Sequence, residues 1–148
     1  MVAYSFQPCF VVPIRRLVSP KRQTIRAERK RHAIAGEKLQ LYCRQRCKDG
    51  YLIGTALCDE VLPIRIEFAK HSRVTIGNLA PIAGRHALNQ FAYADGFGSW
   101  EELQWFWEHH HRKIVNFSGQ IIFWGPLIYN PVSEEHDNAD NAQAAPGI

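Results

Sequence analysis

The chain has 148 residues, of which 46% are hydrophobic, and its four Trp and eight Phe residues supply enough apolar material for one domain with a single core. The formal net charge of +4 hides an asymmetry, because twelve of the eighteen Lys and Arg residues lie between Arg15 and Lys48, and eight of the fourteen acids follow from Asp95 onward. No segment reaches the run of about 18 apolar residues that a membrane-spanning helix requires, and the N-terminus lacks a signal-peptide pattern. These features exclude a membrane partner and favour a cytoplasmic protein.

The first elements are a strand and a short helix. Apolar residues alternate along residues 2–6, which predicts a strand, and residues 10–17 have the spacing of an amphipathic helix. Pro13 is tolerated in that helix only near its first turn. A turn at Ser19-Pro20 follows.

Residues 23–26 are predicted to be extended. Because successive side chains of a strand point to opposite faces, Thr24 and Arg26 should share one face and Ile25 should point into the core. Residues 27–37 form a charged loop.

Three further extended runs occupy the middle of the chain, at residues 39–43, 52–57 and 61–68. The turn at residues 48–50 contains the Asp-Gly pair that is favoured in hairpins. Pro63 indicates an edge or a bend.

Two helices and a closing strand are predicted next. The first helix covers residues 85–94, and Gly96 is its stop signal. Ser99 and Glu102 form a capping box that begins a second helix, which runs to about His110. Trp105 points away from the face that we expect in the core, which consists of Trp100, Leu103, Phe106, Trp107 and His110. Residues 117–124 form the last strand.

The order of these elements predicts an α+β fold, in which a small barrel of strands carries helices at its edge. Residues 1–126 are expected to form this domain. Residues 127–148 are rich in Asn, Asp, Glu, Ala and Pro, which predicts a disordered acidic tail.

Neither the cysteines nor the histidines form a metal-binding pattern. Cys43 and Cys47 have three residues between them and no matching second pair, which argues against a zinc site. Three consecutive histidines, His109 to His111, point in different directions on a helix. We therefore expect no metal and no cofactor.

The segment Lys21-Arg22-Gln23-Thr24-Ile25-Arg26 concentrates polar chemistry. In a partly dry site flanked by Arg22 and Arg26, Lys21 would lose its proton more easily and could activate Thr24 as a nucleophile. The alternative is a solvated basic loop beside an ordinary strand, in which Thr24 has no chemical role and is present because threonine favours β-strands.

Asp95 closes the first predicted helix of the second half, where the helix dipole disfavours an anion. It therefore needs a compensating partner, and it could complete a catalytic group with Lys21 and Thr24 as a general acid or base. The alternative is an Asx turn before Gly96.

The positive field favours a partner that carries phosphate groups, most simply RNA or another single-stranded nucleic acid. Trp105, if exposed, offers a face for base stacking or for packing against a second copy of the chain in a homodimer. The candidate nucleic-acid contacts are Lys21, Arg22, Arg26, Arg29, Lys30, Arg31, Tyr42 and Trp105.

The segment from Lys21 to Arg26, together with the later Ala-Asp-Gly-Phe-Gly-Ser-Trp-Glu-Glu at residues 94–102, resembles ASCH domains, which are relatives of the PUA-like fold. The usual signature is Gly-x-Lys-x-x-Thr-x-Arg, and Ser19 stands here in the glycine position. The resemblance covers roughly residues 3–124.

That resemblance implies a small β-barrel with a cleft and a link to RNA binding. Some bacterial members are amidohydrolases that act on acetylated cytidine, and a related group is associated with ribonuclease action. On this basis Lys21 and Thr24 match the lysine and threonine of the amidohydrolases, and Asp95 is the nearest match for their glutamate.

The first interpretation is therefore an RNA-binding or single-strand-binding protein with a basic cleft around Lys21, Thr24 and Arg26. The alternatives are a hydrolase acting on a modified nucleoside, with Lys21, Thr24 and Asp95 as its catalytic residues, and a ribonuclease that uses the same cleft. A protein-interaction module built on the Trp105 face and the acidic tail is a further alternative.

Overall fold

The computed structural model describes residues 1–111, 115–129 and 131. In chain order the strands of this part are β1 (Val2–Phe6), β2 (Gln23–Ala27), β3 (Lys38–Cys43), β4 (Tyr51–Glu67), β5 (Arg73–Ile76), β6 (Ile82–Ala83) and β7 (Asn116–Trp124). The helices are α1 (Val11–Arg15), which follows a 3-10 turn at Pro8–Phe10, α2 (Arg85–Ala94) and α3 (Trp100–His110). The predicted α+β class is confirmed.

The first helix is shorter than residues 10–17. It ends at Arg15, because Arg16 is extended (φ −65°, ψ 148°) and Ser19 takes a positive φ of 46°. This reversal lets the Lys21 N–H donate to the carbonyl of Pro13 at 2.8 Å. The chain after α1 is thus turned back toward the helix, and Lys21 is fixed at the base of β2.

Strand β4 joins the two runs that the sequence separates at residues 52–57 and 61–68. No turn interrupts Tyr51–Glu67, and the only irregularity in its pairing with β7 is a register shift between Cys58 and Glu60. The strand instead changes partners along its length, with β3 beside its first half and β7 and β5 beside its second.

The seven strands form one sheet that is not closed into a barrel, so the expected barrel is wrong. Strand β1 pairs in parallel with β3, β2 pairs antiparallel with β7, and β6 pairs antiparallel with β5. Within the described residues β1, β2 and β6 each have a single neighbour, so the sheet has open edges where a barrel would have further pairings.

The two long helices agree with the predicted bounds, and the Ser99 cap of α3 is confirmed, whereas Glu102 reaches back to Gly98 rather than to Ser99. The Ser99 side chain accepts a hydrogen bond from the Glu102 N–H at 3.2 Å, and the Glu102 carboxylate accepts one from Gly98 N–H at 2.8 Å. The short strands β5 and β6 were not predicted, since four and two residues carry too little periodicity to be recognised.

Two apolar clusters fill the molecule. The first packs β1, α1, β3, the first half of β4 and the end of β7 at Ile122 and Trp124, and the second packs the rest of β4 with β5, α2, α3 and the earlier part of β7. Phe97 and Phe106 contact both clusters. Of the predicted core face of α3, His110 is exposed rather than buried, and its ring lies on that of Phe106, with ring centres 4.2 Å apart.

The predicted tail, residues 127–148, falls largely outside the described residues. Of its described part, Leu127 packs against the first apolar cluster, and the backbone of Tyr129 pairs with that of Thr55 on β4. Residues 127–129 therefore pack against the domain. Among the described residues, no helix has the length and apolar character needed to cross a membrane.

Candidate functional site

A cleft of about 680 Å³ opens between the β1–α1 region and the ends of α2 and α3. We call it the cleft. It brings together residues that are far apart in the chain, and the predicted site residues among its lining are Lys21, Thr24, Arg26, Arg29 and Asp95.

Lys21 lies at the bottom of the cleft with a side chain that is only 2% exposed. Its Nζ donates to the backbone carbonyl of Asp95 at 2.5 Å and lies 3.3 Å from the Asp95 carboxylate oxygen Oδ1. The ammonium also lies 4.8 Å from the centre of the Phe10 ring. A cation at the C-terminus of α2 is favourable, because the helix dipole places partial negative charge there.

Asp95 is the C-cap of α2, and its N–H donates to the carbonyls of Phe91 and Ala92. Besides Lys21, the amide of Gln23 donates to Oδ1 at 3.3 Å. The carboxylate therefore has the compensating partner that its position at a helix C-terminus requires. This contact connects β2 to the end of α2.

Burial favours the neutral form of both Lys21 and Asp95. Removal from water lowers the pKa of Lys21 and raises the pKa of Asp95, and in each case this effect is larger than the opposing attraction between the two groups. Lys21 consequently gives up a proton more readily than a surface lysine does.

Gly96 allows this arrangement. Its φ is +97°, and a Cβ placed there would lie 2.9 Å from Lys21 Cδ and 3.1 Å from Phe10 Cδ1. Both the backbone conformation and the space therefore require a glycine. The residue is more than the helix stop signal that the sequence indicated.

Thr24 and Arg26 are two residues apart on β2 and line the cleft together. The Arg26 Nε donates to Thr24 Oγ1 at 3.1 Å, and another guanidinium nitrogen of Arg26 donates to the Ser5 carbonyl at 2.7 Å. Burial, and secondarily the nearby Arg29, lowers the pKa of Arg26 to about 10, so the group keeps its charge at neutral pH. Ile25 is half-buried against the second apolar cluster.

Aromatic rings form the apolar wall of the cleft. Phe10, Phe97 and Phe106 pack on one another with ring centres 5.3 to 5.4 Å apart. Phe6 lies behind Arg26, whose guanidinium carbon is 4.9 Å from the ring centre. The cleft therefore offers apolar surface beside buried charges, which is the composition of many sites for small polar-aromatic ligands.

The other predicted contact residues lie outside the cleft lining. Arg22 and Lys30 are exposed, and Arg31 pairs with the Glu37 carboxylate. Tyr42 is half-buried on β3. Trp105 is 59% exposed, as predicted, and stacks on His109 with ring centres 3.9 Å apart.

Several residues of the cleft were missed from the sequence. The aromatic wall was assigned to ordinary packing, and Gln23, which holds the Asp95 carboxylate without lining the cleft itself, was treated only as part of a polar segment. Others include Arg44, His110 and His111, which line the cleft from a turn and from the end of α3. No local pattern assigns them to the site, because the turn after β3 and the end of α3 meet at the cleft only in the folded chain.

The described residues contain no group of three or more His, Cys, Asp or Glu side chains that could hold a metal ion. All four cysteines are free, with Cys43 and Cys58 buried and Cys9 and Cys47 exposed.

No protein-family model, no curated protein and no solved structure matches this chain. The similarity to ASCH domains therefore rests on the two motifs in the sequence, and the function has to be argued from the cleft itself.

Proposed function

We propose that the protein binds single-stranded nucleic acid, with RNA as its preferred ligand, and holds one nucleotide in the cleft. The observation that carries this proposal is the meeting of Arg26 and Arg29 with an aromatic wall above a buried Lys21–Asp95 pair. A nucleotide offers a matching group to each of these three: a phosphate to the arginines, an aromatic base to the wall, and polar base edges to the buried pair.

Phosphate contacts are assigned to the arginines. Arg26 uses two of its donors on Thr24 and Ser5, and a guanidinium has five N–H groups, so it retains donors for a phosphate oxygen. Arg29 is exposed at the cleft and lies over Tyr4, with its guanidinium carbon 4.5 Å from the ring centre. Arg44 also lines the cleft, although one of its guanidinium nitrogens pairs with the Asp49 carboxylate at 3.1 Å. These groups supply affinity without reading sequence.

The base is assigned to the aromatic wall. Its faces are sequence-tolerant, whereas the carboxylate of Asp95, which Gln23 holds in place from behind the cleft lining, offers an acceptor for a base edge. Single strands are favoured over duplexes because a base has to be unstacked to enter a recess of this kind.

The test is a titration of fluorescently labelled single-stranded RNA, DNA of the same sequence, and duplex RNA, followed by anisotropy. We expect RNA to bind tightest and its affinity to fall steeply between about 50 mM and about 200 mM salt. Arg29→Gln should weaken binding and reduce the salt slope by about 0.7. Arg65→Gln is the matched control, because Arg65 is exposed, pairs with Glu67 and does not line the cleft.

Equal affinity at the two salt concentrations would refute phosphate-directed binding. An equal loss in the Arg29 and Arg65 variants would remove the cleft as the site, even if the protein binds RNA.

Hydrolysis of an amide on a modified nucleoside is the second candidate. It is favoured by one observation, that Lys21, Thr24 and Asp95 line a single cleft in which burial lowers the pKa of Lys21. In this reaction Thr24 Oγ attacks the amide carbonyl, Lys21 accepts the hydroxyl proton, and Asp95 carries a proton to the leaving amine. Water then hydrolyses the threonine ester.

The hydrogen bonds define what this reaction requires. Thr24 Oγ1 accepts from Arg26, which stabilises negative charge on that oxygen, whereas the Lys21 ammonium is bonded to Asp95. Lys21 must therefore release Asp95 and turn toward Thr24 before it can act as a base.

Incubation of the protein with acetylated cytidine and, separately, with end-labelled RNA distinguishes the candidates. Release of acetate that disappears in Thr24→Val and Lys21→Ala supports the hydrolase, with Thr75→Val on β5 as a control. RNA fragments indicate a ribonuclease, and binding without either product indicates a binding protein. Full turnover in Lys21→Ala would eliminate the proposed chemistry.

A further inference from the structure

The segment that follows β7 lies beside the first half of β4 and runs toward the start of that strand. Gly125 N–H donates to the Leu57 carbonyl at 3.1 Å. Three residues later, Ile128 N–H donates to the Thr55 carbonyl at 2.8 Å. The order of these contacts shows that the segment is antiparallel to β4. It therefore points toward Tyr51, the first residue of β4.

The start of β4 adjoins the cleft. Tyr51 pairs with Cys43 on β3, and the turn that follows Cys43 lines the cleft. From Thr55 to Tyr51 the distance along a strand is about 13 Å. The chain from Tyr129 to Glu134 spans up to about 17 Å when it is extended. Glu134 can thus reach the start of β4, and the residues after it can reach the turn beyond.

Exposed cations line the cleft at its opening. Arg29, Arg44 and Arg46 are exposed, and we call these three residues the cleft mouth. Arg44 pairs with the Asp49 carboxylate, whereas within the described part of the chain Arg29 and Arg46 form no ion pair. Among the described residues that line the cleft, Asp95 is the one acid, and it is buried in an ion pair of its own. The mouth therefore keeps a net positive charge.

The path from Thr55 to the mouth passes another cation. Arg15 donates to the Ile53 carbonyl through two nitrogens, each at 3.2 Å, and its guanidinium carbon lies 5.8 Å from the centre of the Tyr51 ring. The guanidinium lies beside β4 at the positions that follow Thr55 in the direction of the chain. Positive charge is thus present along the path as well as at its end.

The sequence that follows Tyr129 carries the opposite charge. Residues 130–148 contain no Lys or Arg, and their four acids are Glu134, Glu135, Asp137 and Asp140. A binding segment joined to its site by a short stretch of chain acts at an effective concentration on the order of 1 mM. Weak ion pairs that a free peptide would not maintain can therefore persist within one chain.

We propose that residues 134–140 bind at the cleft mouth of their own chain and compete there with the phosphate groups of a nucleic acid. The carboxylates accept hydrogen bonds from the guanidinium groups of the mouth, as phosphate oxygens do. The docking rests on the path and the charges described above, whereas the competition rests on the function proposed for the cleft. A strand with several phosphates displaces the segment more readily than a single nucleotide does.

Two full-length variants with the same change in charge separate this contact from a general effect. The tail variant combines Glu134→Gln, Glu135→Gln, Asp137→Asn and Asp140→Asn. The surface variant changes four exposed acids that do not line the cleft, and it combines Asp59→Asn, Glu60→Gln, Glu101→Gln and Glu108→Gln. Each variant raises the formal net charge of +4 by four units.

Backbone amide signals in nuclear magnetic resonance spectra test the docking. The amides of Arg29 and of residues 44–47 should shift between the wild type and the tail variant, and the surface variant should leave them in place. Added salt should move the wild-type signals toward those of the tail variant, because it screens the ion pairs. Arg73 and Arg85 are exposed cations that do not line the cleft, so their amides should not shift.

Three results of this comparison overturn the docking. The first is the absence of a shift at residues 44–47. The second is an equal shift at Arg73 and Arg85, which would show that the acids contact any basic surface. The third is a shift that weakens on roughly tenfold dilution, since a contact within one chain does not depend on protein concentration and a contact with a second copy does.

Titration with labelled single-stranded RNA at about 50 mM salt tests the competition. The tail variant should bind about tenfold tighter than the wild type, which corresponds to a mouth that the segment occupies about nine-tenths of the time. The surface variant should bind at most about threefold tighter, through the overall field alone. Equal gains in the two variants overturn the competition. If neither the wild type nor the tail variant binds RNA, the function proposed for the cleft fails, and the amide shifts still decide whether the segment docks.

Discussion

At the scale of single residues, the contact between Lys21 and Asp95 is the most consequential in the cleft. Both side chains are almost fully buried, at 2% and 7% exposure. Removing one partner of a buried pair leaves an uncompensated charge and typically costs about 3–5 kcal/mol of folding free energy. Lys21 and Asp95 are thus coupled to stability as well as to any ligand, so functional variants at these positions need a fold control.

The first prediction at this scale concerns how the free energy of unfolding depends on pH through Asp95. Burial raises the pKa of Asp95 above its ordinary value of 3.8. At a pH between the pKa of Asp95 in the unfolded chain and its raised pKa in the folded protein, the folded protein keeps a proton that the unfolded chain has released. The contribution of Asp95 to stability therefore falls as the pH rises. Asn cannot ionise, and Asp95→Asn should therefore gain stability relative to the wild type as the pH increases above about 4.

Urea unfolding of the two proteins at a series of pH values from about 4 to about 7 measures this difference. Glu37→Gln is a useful contrast, because hydrogen bonds from Ile34 N–H and the N-terminal ammonium, together with Arg31, lower the pKa of Glu37. Its variant should lose stability relative to the wild type as the pH rises. A constant gap between wild type and Asp95→Asn would contradict the assigned direction.

At the scale of elements, the connection between α2 and α3 determines the shape of the cleft. Asp95 ends α2, Gly96 reverses the chain, and Ser99 begins α3. The Phe97 N–H donates to the Ala92 carbonyl at 2.9 Å, which closes the last turn of α2 and carries the Phe97 ring toward Phe10. A connection of five residues thereby supplies a charge, an aromatic wall and a helix start.

For this connection we predict that Gly96→Ala destabilises the protein more than the same substitution at another glycine with positive φ. Gly36 provides a matched control, because its φ of +86° is similar while nothing lies within 4 Å of its would-be Cβ. Gly36→Ala should cost about 1 kcal/mol through its backbone alone. Gly96→Ala should cost more, because its Cβ also displaces Lys21 and Phe10, and it should alter ligand binding as well.

Urea unfolding of both variants gives the two free energies, and titration with labelled RNA gives their affinities. Equal costs at the two glycines would show that the close approach to Lys21 has no energetic effect.

At the scale of the whole molecule, two apolar clusters share the strands β4 and β7. Strand β4 passes through both, and Phe97 and Phe106 contact each of them. Separation of the clusters would break the pairing of β4 with β3 or with β7, together with the aromatic wall of the cleft. The two clusters should therefore unfold together.

Tryptophan fluorescence tests this prediction. Trp124 lies in the first cluster, and Trp100 and Trp107 lie in the second. Single-tryptophan variants that retain Trp124 or Trp107 should show, each within its own protein, a fluorescence midpoint in urea that coincides with the circular dichroism midpoint. Two separated transitions would show that the clusters are independent units.

Local patterns were sufficient for most elements. The bounds of α2, the cap at Ser99 and the exposure of Trp105 follow from helical periodicity and capping chemistry, which act over a few residues. The continuity of β4 and the existence of β6 were not predictable in this way. Strand pairing depends on partners that are distant in the chain, and two residues carry no period.

The sequence by itself determined the concentration of positive charge, the α+β class and the candidate group Lys21, Thr24 and Asp95. The tertiary structure decided that these three side chains line one cleft, that Lys21 bonds to Asp95 rather than Thr24, and that the sheet stays open. It also decided that Gln23, Gly96 and Phe106 belong to the site. The physical reason is that charge and periodicity are local properties of a chain, whereas burial and contact between residues 74 positions apart exist only after the helices pack on the sheet.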